Sequence, residues 1–94
     1  MRDYELILVL HPDLDENAVS EVLKRVTGWI SDAGGSVVKS DMWGKRQLAY
    51  PIRKQTQGQY VLLQTNMAPK TGVTLERNLR LAEPVLRYML TARA

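Results

Sequence analysis

Cysteine and phenylalanine are absent from this sequence, and histidine occurs once. Without cysteine there are no disulfides, thiolate zinc sites or cysteine nucleophiles. That absence suits a cytosolic chain. Long apolar runs are missing too. The longest, Leu6 to Leu10, has five residues, against the roughly 20 that a membrane-spanning helix needs. The opening Met1-Arg2-Asp3-Tyr4-Glu5 places acids where a signal peptide carries only bases, and no adequate apolar segment follows. A soluble, cytoplasmic chain with no membrane contact is the expectation.

What is present is the composition of an ordinary folded protein. The chain has 94 residues, 45% hydrophobic and 24% charged, which excludes a disordered polyampholyte. One domain over residues 1–94 with a single modest core is expected. The net charge of +3 hides an asymmetry. Residues 1–43 carry four bases (Arg2, Lys24, Arg25, Lys39) and eight acids (Asp3, Glu5, Asp13, Asp15, Glu16, Glu21, Asp32, Asp41), a balance of −4. Residues 44–94 carry nine bases (Lys45, Arg46, Arg53, Lys54, Lys70, Arg77, Arg80, Arg87, Arg93) and only Glu76 and Glu83 as acids, a balance of +7. Such a field suits a polyanion on one side of the fold.

Periodicity gives six elements. Tyr4 to Leu10 reads as a strand ended by His11-Pro12. Asp15 is a candidate N-cap for a helix whose Val19, Val22, Leu23, Val26, Ile30 and Ala33 form one apolar stripe. Gly34-Gly35 stops it. Ser36 to Ile52 is extended, with a bulge or bend at Gly44, and Pro51 assigns it to a sheet edge. Gln55 to Gly58 reads as a turn, and Gln59 to Met67 as the returning strand. Ala68-Pro69-Lys70-Thr71 opens a second helix through Leu75 and Leu79, stopped at Glu83-Pro84. Val85 to Thr91 is the last strand. The order β-α-β-β-α-β is that of the split βαβ, ferredoxin-like sandwich. It predicts a four-stranded antiparallel sheet in the order 4-1-3-2, with both helices on one face.

Side chains alternate faces along a strand. If Glu5, Gln64 and Arg87 point away from the helices, then Leu6, Leu8, Leu10, Val61, Leu63, Thr65, Tyr88 and Leu90 point inward. The open face then carries Ile7, Val9, Tyr60, Leu62 and Met89. An apolar patch rimmed by polar groups marks a binding surface. The expectation is a protein partner or self-association.

The most distinctive stretch runs from Trp43 through Gly44-Lys45-Arg46-Gln47-Leu48-Ala49-Tyr50-Pro51-Ile52-Arg53-Lys54, followed by Gly58-Gln59-Tyr60. Leu48, Tyr50 and Ile52 share one strand face. Two basic pairs flank the strand, an arrangement that suits phosphate contacts. Charges also protect an edge strand from aggregation, and chemistry alone leaves both readings open.

Gly44 to Lys54 closely resembles the signature of the bacterial small-ribosomal-subunit protein six family. The resemblance continues in Met1-Arg2-x-Tyr4-Glu5, Leu10-x-Pro12-x-Leu14-Asp15, the Gly34/Gly35-x-Val37 step, Leu79-Arg80 and Val85-x-Arg87-x-Met89. It implies a ferredoxin-like, non-enzymatic structural protein of the small subunit, needing no cofactor or metal. It further implies binding to the central domain of the small-subunit rRNA at the platform, together with small ribosomal subunit protein eighteen. Contacts made by the charged tails of some relatives are not carried over to this chain, whose sequence ends Thr91-Ala92-Arg93-Ala94.

On those positions Arg2, Arg87 and Arg93 are assigned to rRNA phosphates, followed by Lys45, Arg46, Arg53 and Lys54. Ile7, Val9, Tyr60, Leu62 and Met89, with Trp43 near the hairpin bend, are assigned to the protein partner. Tyr60 could instead stack on a base. The free chain is expected to be a monomer.

Three other functions share this topology. Acylphosphatases need an Arg and an Asn at a phosphate loop, but Pro12 interrupts the N–H series after the first strand. The lone His11 sits at a strand end with no nucleophile implied beside it. RNA-recognition modules stack bases on aromatics of two central strands, where this sequence offers leucine, isoleucine and valine in the first. A ligand-sensing domain would pair through its open sheet as a tight homodimer.

Overall fold

Six elements follow one another in the computed structural model, which describes residues 1–93. They are β1 (Arg2–Leu10), α1 (Glu16–Asp32), β2 (Ser36–Ile52), β3 (Gln55–Met67), α2 (Pro69–Leu81) and β4 (Val85–Ala92). Ala94 lies outside the described residues. The sheet is antiparallel throughout, in the order β2-β3-β1-β4. This is the ferredoxin-like βαββαβ sandwich expected from the element order, and the Pro51 strand lies at an edge.

Local chemistry sets the ends of α1. The Asp15 carboxylate accepts from the Ala18 backbone N–H at 2.8 Å, satisfying a donor that the helix leaves free. At the other end Gly34 adopts φ +86°. Its N–H donates to the Ser31 carbonyl at 3.0 Å, and that of Gly35 to the Ile30 carbonyl at 2.9 Å. Those two bonds form a Schellman cap, which needs the left-handed residue that glycine supplies. α2 starts on Pro69, whose missing N–H costs nothing in the first turn.

The helices bury Val19, Val22, Val26, Ile30, Leu75 and Leu79 against Leu6, Leu8, Leu10, Val61 and Leu63 of the central strands. The inward parity holds for all of these strand positions. Thr65 is also buried, and its hydroxyl has no hydrogen-bond partner among the described residues.

Two irregularities depart from the sequence expectation. The residues read as a turn, Gln55 to Gly58, are the first part of β3. The reversal occurs one step earlier, where Arg53 and Lys54 take φ values of 50° and 67° between the paired residues Ile52 and Gln55. Two consecutive positive values give a two-residue type I′ hairpin turn. Gly58 is glycine for another reason: a Cβ there would collide with the Val9 side chain. Glycine marks close approach as well as turns. The second irregularity is in β4. Leu10 faces Val85 but Val9 faces Arg87, so Leu86 is an extra, bulged residue. The bulge sends Val85 into the main core and Leu86 to the opposite side of the sheet.

Candidate functional site

The face of the sheet away from the helices is built from short cross-strand rows. Leu62, Ile7 and Met89 lie side by side across β3, β1 and β4. One row towards the β1 start are Gln64, Glu5 and Thr91, and one row the other way are Tyr60, Val9 and Arg87. The predicted open-face residues are thus brought together.

One of them is not available to a partner. Val9 is only 5% exposed. It is covered by a second apolar cluster with Leu48 and Leu86, against which Ile52 and Tyr60 pack. The cover comes from β2. Gln47 pairs with Gln57 and Ile52 with Gln55, so four residues of β2, Leu48 to Pro51, stand against Thr56 alone. This large bulge hooks Leu48 over the sheet, and the tight approach is what Gly58 accommodates. Leu48 and Ile52 pack down as their shared face predicted, but Tyr50 stays 57% exposed. Val9 therefore leaves the candidate interface, because the chain's own edge strand occupies its position.

The uncovered remainder is an apolar strip with an aromatic wall. Trp43 stacks on Tyr60, with ring centroids 6.3 Å apart and planes 9° from parallel. Met89 and Trp43 are exposed, while Ile7, Leu62 and Tyr60 are half-buried. Between them lies a recess of about 140 Å³, lined by Ile7, Trp43, Tyr60, Arg87 and Met89 among others.

Cations fringe this face. The Arg46 guanidinium lies 5.4 Å from the Trp43 ring centroid, a cation–π contact. Arg87 donates to the Tyr50 hydroxyl at 2.8 Å. Arg93 donates to Gln64 at 3.0 Å and pairs with Glu5 at 3.4 Å. Arg53 donates to the backbone carbonyl of Glu83 at 3.1 Å, tying the hairpin tip to the α2–β4 connection. Lys45 and Lys54 are exposed and make no ion pair among the described residues. Arg2 is the first residue of β1, opposite Met67. Its strand parity is that of Leu6 and Leu8, so it belongs to the helical side. Arg2 and Arg93 thus share one end of the sheet on different faces, and Arg87 sits towards the other end.

Arg80 was not singled out from the sequence. Its guanidinium donates to the Tyr88 hydroxyl at 3.5 Å. That hydrogen bond and the electrostatic attraction of the Tyr88 oxygen hold its pKa above the ordinary arginine value, outweighing desolvation, with Glu76 adding a little. The signal available in the sequence was the Leu79-Arg80 pair, which carries part of the family resemblance but was given no role.

His11 Nδ1 accepts from the Asp13 backbone N–H at 3.1 Å and so closes the β1–α1 turn. Among the described residues no group of three His, Asp or Glu side chains is placed to hold a metal, and no helix is long and apolar enough to cross a membrane. The fold and the face define a ferredoxin-like module whose open sheet is half covered by its own edge strand and fringed by arginines.

Comparison with known proteins makes this specific. Residues 3–92 match the family model described as ribosomal protein S6. The small ribosomal subunit protein bS6 of Moorella thermoacetica is 41% identical over 91 residues, covering 97% of this chain and 93% of that protein. The bS6 of Saccharopolyspora erythraea is 46% identical over 93 residues, covering 99% and 79%. The crystal structure of 30S ribosomal protein S6 from Thermotoga maritima superposes with a TM-score of 0.90 at 25% identity, covering 98% of this chain and 87% of that one. The chain belongs to the ribosomal protein S6 family. It is a structural constituent of the small ribosomal subunit, located with it in the bacterial cytoplasm, and not an enzyme.

Proposed function

We propose that this chain binds the central domain of the small-subunit rRNA jointly with small ribosomal subunit protein eighteen, at the platform. The carrying observation is the Leu62–Ile7–Met89 strip with its Trp43–Tyr60 wall, bordered by Arg46, Arg87 and Arg93. A protein docks on the apolar strip, where the recess beside Trp43 admits one apolar side chain. Phosphates meet the fringe: Arg87 and Arg93, with Arg2, Lys45, Arg46, Arg53 and Lys54 as further contacts. RNA affinity then depends on salt through released counterions. Each function supports the other, because Arg46, Arg87 and Arg93 border the strip on which the protein docks.

The test is reconstitution of the full chain with protein eighteen and a central-domain transcript. Leu62→Glu leaves the isolated fold intact, since Leu62 lies outside the main core, but blocks capture of protein eighteen. Capture at wild-type affinity removes the strip from the interface. Sedimentation of the pure chain at micromolar concentration is expected to give a monomer. A tight homodimer favours a sensing domain paired through this face.

A further inference from the structure

The cleft at the outer edge of β4 adjoins the sheet face just described and shares Arg87 with it. It encloses about 210 Å³ and takes three arginines from three parts of the chain: Arg53 of the hairpin tip, Arg80 of the last turn of α2, and Arg87 of β4. Leu79, Val85 and Leu86 supply its apolar floor. Every one of the three guanidinium groups is oriented by a neutral acceptor: the Glu83 carbonyl, the Tyr88 hydroxyl and the Tyr50 hydroxyl. No carboxylate forms an ion pair with any of them among the described residues, where the ion pairs are His11–Asp13, Lys39–Asp41 and Arg93–Glu5; Glu76 acts on Arg80 only as the weakest of the influences on it.

A guanidinium carries several N–H donors in a rigid fork. Each arginine here spends one on its orienting contact and leaves the others unused. Three like charges around one cleft repel one another unless an anion joins them. Neutral acceptors hold the forks in position without cancelling their charge, which pre-organises the site for a multidentate oxyanion. The Arg53-Lys54 turn adds a second sign of purpose. Both residues hold positive φ without being glycine, a conformation that costs about 1–2 kcal/mol per residue. The turn projects Arg53 back over the α2–β4 connection.

We propose that this cleft is a phosphodiester-binding subsite for the RNA backbone, in which Arg53, Arg80 and Arg87 grip one phosphate and Arg80 is a contact in its own right. The inference rests on the rRNA-binding reading above and extends it around the β4 edge to the helical side.

The test compares Arg80→Gln, Arg80→Lys and Arg93→Gln in the full chain, with protein eighteen and a central-domain transcript, across a salt series. Arg80→Gln is expected to weaken RNA binding about tenfold and to reduce the salt slope by about one. Arg80→Lys recovers the slope but only part of the affinity, since an ammonium lacks the fork. In parallel, the Arg80 side-chain Nε–Hε resonance of the wild-type chain should shift when the transcript is added, a readout independent of any variant's folding. If Arg80→Gln and the resonance are both unaffected while Arg93→Gln weakens binding, the cleft is not a subsite and the rRNA reading stands. A loss confined to capture of protein eighteen reassigns the cleft to a protein carboxylate and overturns the proposal. If the wild-type chain shows no salt-dependent RNA binding, both readings fall.

Discussion

At the scale of single residues, two positions carry more than their chemistry advertises. Gly58 is buried in a strand because Val9 and Leu48 close over it. Gly58→Ala should lower unfolding free energy by about 1–3 kcal/mol through forced overpacking, measured by urea unfolding. An unchanged midpoint would mean the Leu48 hook swings away at little cost. Thr65 faces the other way, with a buried hydroxyl that has no hydrogen-bond partner among the described residues. Thr65→Val removes that unsatisfied group and should raise stability by about 1 kcal/mol, visible as a higher thermal midpoint. These residues also mark what a sequence can express. Thr65 was assigned inward correctly because period two is strict in a straight strand. Gly58 was misread as a turn because glycine carries the same letter whether it frees the backbone or makes room for a neighbour.

At the scale of elements, β2 carries most of the individuality. Its edge position was legible from Pro51 alone, since a proline cannot serve both sides of a ladder. Its bulge at Gly44 was legible too, and the structure puts a register shift there, with φ +81°. The excursion of Leu48 to Pro51 was not, because nothing local distinguishes residues that pair from residues that arch over their own sheet. The β4 bulge at Leu86 was hidden for the same reason, and with it the burial of Val9. The hairpin turn was missed because Arg53-Lys54 lacks the Asn-Gly chemistry that signals type I′. Lys54→Gly should therefore stabilise the isolated chain by roughly 0.5–1 kcal/mol by relieving the left-handed conformation. The check is equilibrium denaturation with an unchanged m-value; a drop in stability would show that Lys54 makes compensating contacts.

At the scale of the whole molecule, charge is sorted by element. Most acids of the first half lie on α1 or beside it, whereas the bases of the second half lie on the hairpin, α2 and β4. The −4 and +7 halves read from the sequence thus separate by element: acidic α1 lies beside basic α2 on the helical face, and basic groups occupy both sheet edges, β2 and β4. Arg2 begins β1, and Arg87 stands opposite Val9 near its end. At about 3.3 Å per residue they are roughly 23 Å apart along the strand, well beyond a Debye length of about 10 Å. On the proposed rRNA reading they meet separate phosphates. Arg2→Ala and Arg87→Ala should each lower the salt slope of RNA binding by about one. In a double-mutant cycle their effects should add within about 0.5 kcal/mol. Strong coupling would instead place both on a single contact.

The Leu48 hook has one more consequence. A flat apolar sheet lets a visiting chain slide by two residues along the strands and find the same alternation again. The hook is an end-stop: it ends the track at Val9, while the Arg93–Glu5–Gln64 cluster closes the other end with charge. On the proposed docking a partner seats between them in one register only, and the chain's own edge strand works as a gauge for its neighbour's position.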